Sequence, residues 1–126
     1  MVVYQKRSRR KVTGGLYKSS EKKRLANMGF MPTYTKVGER KVKTKKIKGG
    51  QLKNILLSIN KVNVMNQKTK KSQVTEIFSV IESPANRNFI RRGIITKGTI
   101  LETKLGKVRV TSRPGQEGTL NGVLVS

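Results

Sequence analysis

The chain has 126 residues, and 29 Lys and Arg against six Glu and no Asp give it a formal net charge of +23. A compact domain this basic repels itself unless a polyanion neutralises it, and the polyanions of a cell are nucleic acids and anionic membranes. The chain has no run of about 18 apolar residues, no signal-peptide core at its start and no amphipathic helix long enough to lie on a bilayer. We therefore expect a small domain whose partner is nucleic acid and not a membrane.

The residue types that carry most enzymatic and metal chemistry are absent or scattered. The chain has no Cys and no His, which excludes thiolate zinc sites, disulfides and an imidazole base. The glutamates are never adjacent and lie at Glu21, Glu39, Glu76, Glu82, Glu102 and Glu117. We expect no enzyme, no catalytic residue, no metal, no cofactor and no small-molecule substrate.

Residues 1–39 are predicted to form an extended basic arm. The densest positive run of the chain, Lys6–Lys11, has no apolar residue to bury, so it is either a solvated tail or a polyanion-binding segment. Thr13–Gly15 follow it, and their two glycines let the backbone bend tightly and approach a surface closely. This continuation favours polyanion binding.

A short helix of about two turns is predicted near residues 20–28. Ser19 or Ser20 can cap its start, and Gly29 can end it. The helix would present the cations of Lys22–Arg24 to a phosphate backbone. The alternative is a frayed turn that carries the same charges.

From residue 40 the apolar residues follow the period of two that is typical of strands. In Arg40–Lys48 the alternate lysines fall on one face, and a β-bulge near Lys45–Lys46 would return Ile47 to the inner face. In the next strand apolar residues alternate over Ile55–Ile59, and a second bulge is predicted near Asn60–Lys61. These patterns predict two bent strands.

The remaining elements are also short. Val74–Ile81 has apolar residues on both faces and so predicts a strand covered on both sides. Ser83 as a cap with Pro84 at the first helical position predicts one helical turn. Further strands are predicted at Ile94–Thr96, Thr99–Thr103, Lys107–Ser112 and Thr119–Val125. Together they predict a mainly β fold for residues 40–126: a small closed or nearly closed β-barrel of about six strands, with one or two short helical turns in the chain.

The loop Thr111–Gly122 is the remaining candidate for phosphate chemistry. Pro114–Gly115 fits the centre of a type II turn, in which the glycine has a positive φ. The Walker pattern is absent because the loop has no Lys and runs into a strand. We expect the loop to connect two strands, with Arg113 contacting phosphate and Gln116 a base edge or ribose.

Several segments, taken in order, resemble one family. They are RKVTGG (Arg10–Gly15), the pair Met28–Gly29, PTYTKVGERKVKTKKIKGG (Pro32–Gly50), SPANRNFIRRGIITKGTILET (Ser83–Thr103) and GKVRVTSRPGQEGTLNGVLV (Gly106–Val125). In order and length they are similar to the archaeal form of the small-subunit ribosomal protein eight-e family. The resemblance implies a non-enzymatic, cytoplasmic ribosomal protein with a β-barrel and an N-terminal extension threaded into small-subunit RNA. It places the family's TGG motif at Thr13–Gly15 and its closing loop at Arg113–Gln116.

The charge pattern and the resemblance together define the predicted RNA-binding residues. These are Lys6, Arg7, Arg9, Arg10, Lys11, Thr13, Gly14, Gly15, Lys22, Lys23, Arg24, Arg40, Lys41, Lys43, Lys45, Arg87, Arg91, Arg92, Arg113 and Gln116. Expected partners are small-subunit ribosomal RNA and other small-subunit ribosomal proteins, with no homo-oligomer. Aromatic residues are few and scattered, so recognition mainly of shape and phosphate is expected. The alternatives are a free-standing barrel that binds single-stranded nucleic acid, and an enzyme or nucleotide-binding regulator that uses the RPGQEG loop.

Overall fold

The computed structural model describes residue 4, residues 7–18, residue 22 and residues 24–125. They belong to two compact units, Met1–Pro32 and Thr33–Ser126. The predicted RNA-binding residues Lys6 and Lys23 lie outside the described residues, as do Ser19 and Ser20, the predicted helix caps. Residues 33–39, which the sequence pattern placed in the arm, belong to the second unit and contain its first strand.

In the first unit, the predicted helix is represented by one 3-10 turn at Leu25–Asn27. Arg24 before it and Met28 after it both have extended backbone, so the described part of this segment has one turn and not two. Leu25 is exposed. Without tertiary packing of an apolar face, a helix this short has little to stabilise a second turn.

The second unit is mainly β, as predicted. Its strands are β1 (Lys36–Val37), β2 (Lys41–Lys46), β3 (Leu52–Ile59), β4 (Lys61–Met65), β5 (Ser72–Glu82), β6 (Ile100–Thr103), β7 (Gly106–Val110) and β8 (Asn121–Leu124). A 3-10 turn at Lys48–Gly50 joins β2 to β3, and the helix α1 (Arg87–Arg91) lies between β5 and β6. The predicted Ile94–Thr96 strand is reduced to an isolated bridge between Lys36 and Ile94.

The last five strands form a closed barrel in the order β4-β5-β6-β7-β8. Neighbouring strands are antiparallel except at the closure, where β8 pairs with β4 in parallel. The residues that point inward are mostly aliphatic, and the core includes Val62, Val64, Ile77, Leu101 and Val108. The prediction of a small closed barrel is confirmed, with five strands in the barrel itself.

The other three strands form a separate sheet in the order β1-β3-β2. Its central strand, β3, adds Leu56 and Ile59 to the barrel core. The chain bends at Asn60, whose carbonyl O accepts a hydrogen bond from Ile77 N of β5 at 2.9 Å. The sheet and the barrel therefore share one hydrophobic core.

The predicted positions of bulges and buried residues in β2 and β3 are partly wrong. The register shift between these strands lies at Lys41/Val42, and pairing is regular through Lys46. Ile47 stays exposed, so no bulge is needed to bring it inward. In β3, Ile55 and Leu56 are both buried while Leu57 is exposed, because Leu56 packs in the barrel core.

Two further predictions are corrected around β5. Val74 and Phe78 are 66% and 59% exposed, because only the inner face of this barrel strand is covered within the chain. The cap of α1 is Asn86, whose Oδ1 accepts a hydrogen bond from Asn88 N at 2.9 Å. Ser83, the predicted cap, is instead buried.

Barrel closure predicts a large effect of adding one methyl group at Gly122. A Cβ at this position would overlap Val108 Cγ1 and lie 3.0 Å from Arg109 O. Because such overpacking in a core typically costs about 1–3 kcal/mol, Gly122→Ala should lower the free energy of unfolding by that amount in denaturant titrations.

Gly115→Ala is the matched control. Its Cβ would lie 3.5 Å from Thr33 Oγ1, an ordinary van der Waals contact, so we expect a change within about 0.5 kcal/mol. Equal unfolding midpoints for the two variants would contradict the packing described for β7 and β8.

Candidate nucleic-acid interface

The TGG motif of the first unit forms the tip of a hairpin. Arg10 and Leu16 make an antiparallel bridge. Between them Lys11 N donates to Gly15 O at 2.8 Å, and Gly14 N donates to Lys11 O at 3.0 Å. Gly14 has a φ of +83°, in the left-handed region that favours glycine. The basic arm thus contains a hydrogen-bonded turn at the glycines for which the sequence indicated a tight bend.

Tyr17 holds cations against this hairpin. Tyr17 N donates to Arg9 O at 2.9 Å, which places the tyrosine beside the turn. The guanidinium carbon of Arg7 lies 4.1 Å from the centre of the Tyr17 ring, and Lys11 Nζ lies 5.7 Å from it. These cation–π contacts restrict where the two positive charges can be.

The tip of the hairpin is open to solvent. Val12 and Thr13 are exposed together with both glycines of the motif. Arg10 Nη1 donates to Gly14 O at 2.8 Å, across the turn. The other described cations of this unit that were predicted to bind RNA, Arg9, Lys22 and Arg24, are also exposed.

In the second unit, β2 is an edge strand with a basic outer side. Lys41, Lys43 and Lys45 are all exposed, whereas Val42 between them is half-buried. The lysines therefore stand on a strand that Val42 anchors to the core. A lysine-rich edge also discourages pairing with strands of other molecules.

The loop between β7 and β8 contains a helical turn. Gln116 N and Glu117 N both donate to Arg113 O, at 2.8 and 2.9 Å. Gly115 does not have a positive φ, so the predicted type II turn is wrong. These two hydrogen bonds to one carbonyl close the turn.

Contacts with β3 bring this loop to the lysines of β2. Pro114 is buried, and its carbonyl O accepts a hydrogen bond from Leu56 N at 3.0 Å. Lys53 Nζ donates to Gln116 Oε1, and Lys53 pairs in register with Lys45. The loop and the edge strand therefore form one surface.

Arg40 and a close glycine contact complete this surface. Arg40 Nη2 donates to Gly118 O at 3.4 Å. Gly118 approaches β3 so closely that a Cβ there would lie 2.9 Å from Asn54 Cβ. We define the strand–loop surface as Arg40, Lys41, Lys43, Lys45, Lys53, Arg113 and Gln116. Lys53 is the member that the sequence pattern missed, because its position inside a strand gave no sign of its contact with Gln116.

The remaining predicted arginines lie elsewhere. Arg87, Arg91 and Arg92, on and just after α1, are exposed. The bridge between Lys36 of β1 and Ile94 places this helix at the β1 edge of the three-stranded sheet. The strand–loop surface includes the opposite edge, formed by β2. The structure therefore divides the predicted site residues of this unit between two locations.

Three of the six glutamates lie on β5 and β6 and do not form a carboxylate pair. Lys104 Nζ lies 2.6 Å from Glu76 Oε2, and this hydrogen bond and the charge of Lys104 hold the pKa of Glu76 below its usual value. Glu102 Oε2 accepts a hydrogen bond from Ser79 Oγ at 2.6 Å. The third, Glu82, is exposed at the end of β5.

Metal-binding clusters and membrane-spanning helices are both absent from the part of the chain that the structure describes. Within those ranges, no group of three or more His, Cys, Asp or Glu side chains could hold a metal ion. No helix there has the length and hydropathy required to cross a bilayer.

The sequence that forms this barrel, the basic hairpin and the strand–loop surface matches a known family over almost its whole length. Residues 4–125 match the family model described as Ribosomal protein S8e. The chain belongs to this family. The resemblance found from the sequence segments is thereby confirmed, and the match includes described residues of both units.

Relatives in archaea support the S8e assignment. The protein named small ribosomal subunit protein eS8 in Nanoarchaeum equitans is 48% identical over 97% of this chain and 96% of its own length. The protein of that name in Sulfolobus acidocaldarius is 44% identical over 99% of this chain and 98% of its own length. The protein of that name in Methanobrevibacter smithii is 44% identical over 99% of this chain and 100% of its own length.

The hairpin predicts different effects of the same substitution at two adjacent glycines. Gly14→Ala places a side chain at a φ of +83°, which costs about 1 kcal/mol or more, and should depopulate the turn. Gly15→Ala should preserve it, because its φ is not positive and the nearest atom to its Cβ is Thr13 Oγ1 at 3.7 Å.

The measurement is the nuclear Overhauser effect between Arg10 and Leu16 in solution. We expect this signal to disappear in Gly14→Ala and to persist in Gly15→Ala. Its persistence in both variants would show that the turn does not depend on the left-handed glycine.

Proposed function

We propose that this S8e-family chain is a structural constituent of the small ribosomal subunit that binds and stabilises folded small-subunit ribosomal RNA. It would thereby support translation in the cytoplasm. One observation carries this proposal: in a chain of net charge +23, exposed cations are held by folded structure, on the hairpin and on the strand–loop surface. The names of relatives at 42–48% identity support the same function.

The mechanism is electrostatic. Folded ribosomal RNA brings phosphates of different helices together, where they repel each other and collect counterions. A protein cation placed between them releases these counterions, which favours binding and makes it dependent on salt. Arg113 is suited to this task because its planar guanidinium can bind a phosphate through two hydrogen bonds.

Restricted side chains make the proposed contacts less costly. Cations on a flexible tail lose conformational freedom when they bind, and this loss weakens affinity. The ring of Tyr17 and the hydrogen bonds of the hairpin already limit Arg7 and Lys11. The arm would therefore bind through the shaped tip of this hairpin.

Recognition on the strand–loop surface would be mainly of shape and phosphate. Its members are cations except for Gln116, whose amide oxygen is engaged by Lys53. The amide nitrogen of Gln116 is the group that would contact a base edge or a ribose. Phosphate contacts fix orientation and carry no sequence information directly.

The barrel alone gives little support to the alternative of a free-standing protein that coats single strands. Such a protein stacks successive bases on aromatic side chains of one strand face. Phe78 is the only aromatic residue on the eight described strands. We also propose a binding role and not an enzymatic one, because the chain belongs to a family of ribosomal proteins.

Other proteins of the small subunit are the second proposed class of partner. The outer face of β5 supports it, because exposed Val74 and Phe78 flank Glu76 on an otherwise strongly basic chain. Apolar side chains and a carboxylate would be poor contacts for RNA phosphates. They suit a protein segment that combines basic and apolar residues.

The proposed function predicts where the chain sediments. Expressed with an epitope tag in an archaeal cell, it should migrate with small ribosomal subunits in a sucrose gradient and dissociate only at high salt. A free-standing single-strand binder or an enzyme would stay at the top of the gradient at low salt. That second result would overturn the proposal.

The proposed arm predicts that RNA binding and barrel stability are separable. Deleting residues 1–18 removes six cations, at Lys6, Arg7, Arg9, Arg10, Lys11 and Lys18. Binding to small-subunit ribosomal RNA should weaken, and the slope of log K against log salt should flatten by about 0.7 to 0.9 for each phosphate that the arm no longer neutralises. Thermal unfolding of the barrel should change little, because its core cluster lies entirely within the second unit.

A full-length variant with these six cations replaced by Gln is the matched control for chain length. It should reproduce the flatter salt dependence. A salt slope equal to that of the unaltered chain, in either variant, would remove the arm from the proposed interface.

A further inference from the structure

Tyr34 and Phe89 form an aromatic pair at the surface of the second unit. Their ring centroids are 5.9 Å apart, and the rings are inclined at 70°. The guanidinium carbon of Arg92 lies 5.5 Å from the centre of the Tyr34 ring. The set of predicted site residues included neither aromatic residue. Tyr34 and Phe89 are far apart in the chain and lie on no common strand or helix, so nothing in the sequence indicated that they meet.

The backbone around this pair is firmly held. Thr35, next to Tyr34, is buried, and its Oγ1 donates to Leu56 O at 2.7 Å. Thr35 O accepts a hydrogen bond from Ile95 N at 2.8 Å. Ile94 N donates to Phe89 O at 2.9 Å, which ties α1 to the same segment. The rings are therefore presented by a scaffold connected to the barrel core.

Core packing does not explain why a tyrosine occupies position 34. Its φ is +47°, in a region that side chains other than glycine seldom adopt and that costs free energy. The residue is nevertheless 42% exposed, so a large part of its surface is open to solvent. A strained backbone that displays an aromatic ring beside Arg92 is suited to binding a planar ligand.

We propose that Tyr34 stacks against an unpaired base of ribosomal RNA and that Arg92 binds a phosphate of the same strand. This inference rests on the proposed function and adds a ligand and a site to it. Single-stranded bases of RNA are commonly recognised by stacking on aromatic side chains or on arginine planes. Phe89 fixes the inclination of the Tyr34 ring, and Arg87 and Arg91 supply positive charge on the same helix.

Arg92 leaves the Tyr34 ring when the base arrives. A cation–π contact at an exposed site is weaker than the stacking of a base on an aromatic ring. The guanidinium also binds a phosphate more strongly than it binds a ring, because the partner is then a charge. The contact between Arg92 and Tyr34 thus holds the arginine near the position from which it reaches the RNA backbone.

Affinity measurements separate stacking from charge. For the full-length chain and a transcript of archaeal small-subunit ribosomal RNA, Tyr34→Leu should weaken binding about 5- to 100-fold. Tyr34→Phe retains the ring and should stay within about twofold of the unaltered chain. Tyr34→Leu should leave the salt slope unchanged, whereas Arg92→Gln should flatten it by about 0.7 to 0.9.

Tyrosine fluorescence provides a test that leaves position 34 unaltered. The chain has three tyrosines and no Trp, so Tyr4→Phe with Tyr17→Phe makes Tyr34 the only tyrosine. The RNA transcript should quench its emission, because a stacked base contacts the ring. Inorganic polyphosphate, a polyanion without bases, should bind the same variant and cause little quenching.

The two levels of the proposal fail in different ways. If the unaltered chain does not bind the transcript, the proposed function itself is wrong. If it binds, but Tyr34→Leu binds as tightly as Tyr34→Phe, or RNA and polyphosphate change the fluorescence equally, then Tyr34 is not a base-stacking residue. In that case the rest of the RNA interface is unaffected.

Discussion

The fold of the second unit depends on the closure of its barrel by β8. This strand pairs with β4 on one side and with β7 on the other, and a Cβ at Gly122 would overlap the neighbouring strand. Closure determines the course of the preceding loop, because Leu120 is buried and its carbonyl O accepts a hydrogen bond from Asn63 N. The loop is thereby drawn over β3, where it meets the lysines of β2. The proposed RNA surface is a consequence of how the barrel closes.

Charge opposes the compact state of this chain and also drives its proposed association. The buried core is aliphatic with a few Thr and Ser side chains, and every Lys and Arg among the described residues is exposed, except Lys53, which is half-buried. Self-repulsion between these cations is relieved when phosphates surround them.

Local sequence patterns predicted the positions of strands and turns more accurately than which of their side chains are buried and what they contact. The apolar residues on both faces of Val74–Ile81 correctly indicated a strand, but the prediction that both faces are covered was wrong, because the sequence of one segment does not show what packs against it. Pro114–Gly115 indicated a turn, but its type depended on two hydrogen bonds to Arg113 O. The prediction of a two-turn helix was wrong in the described part of that segment for a related reason, because Leu25 is exposed and does not pack in a core.

The sequence by itself determined the class of partner, the mainly β character and the family of this protein. These conclusions depend on net charge, on missing residue types and on the order of short segments, all of which can be read along the chain. Only the tertiary structure decided which side chains contact each other. Lys53 and Gln116 are 63 residues apart, and Tyr34 meets Phe89 from another element. Such pairs are brought together by hydrogen bonds between distant strands and loops, and the spacing of residues within one segment does not encode them.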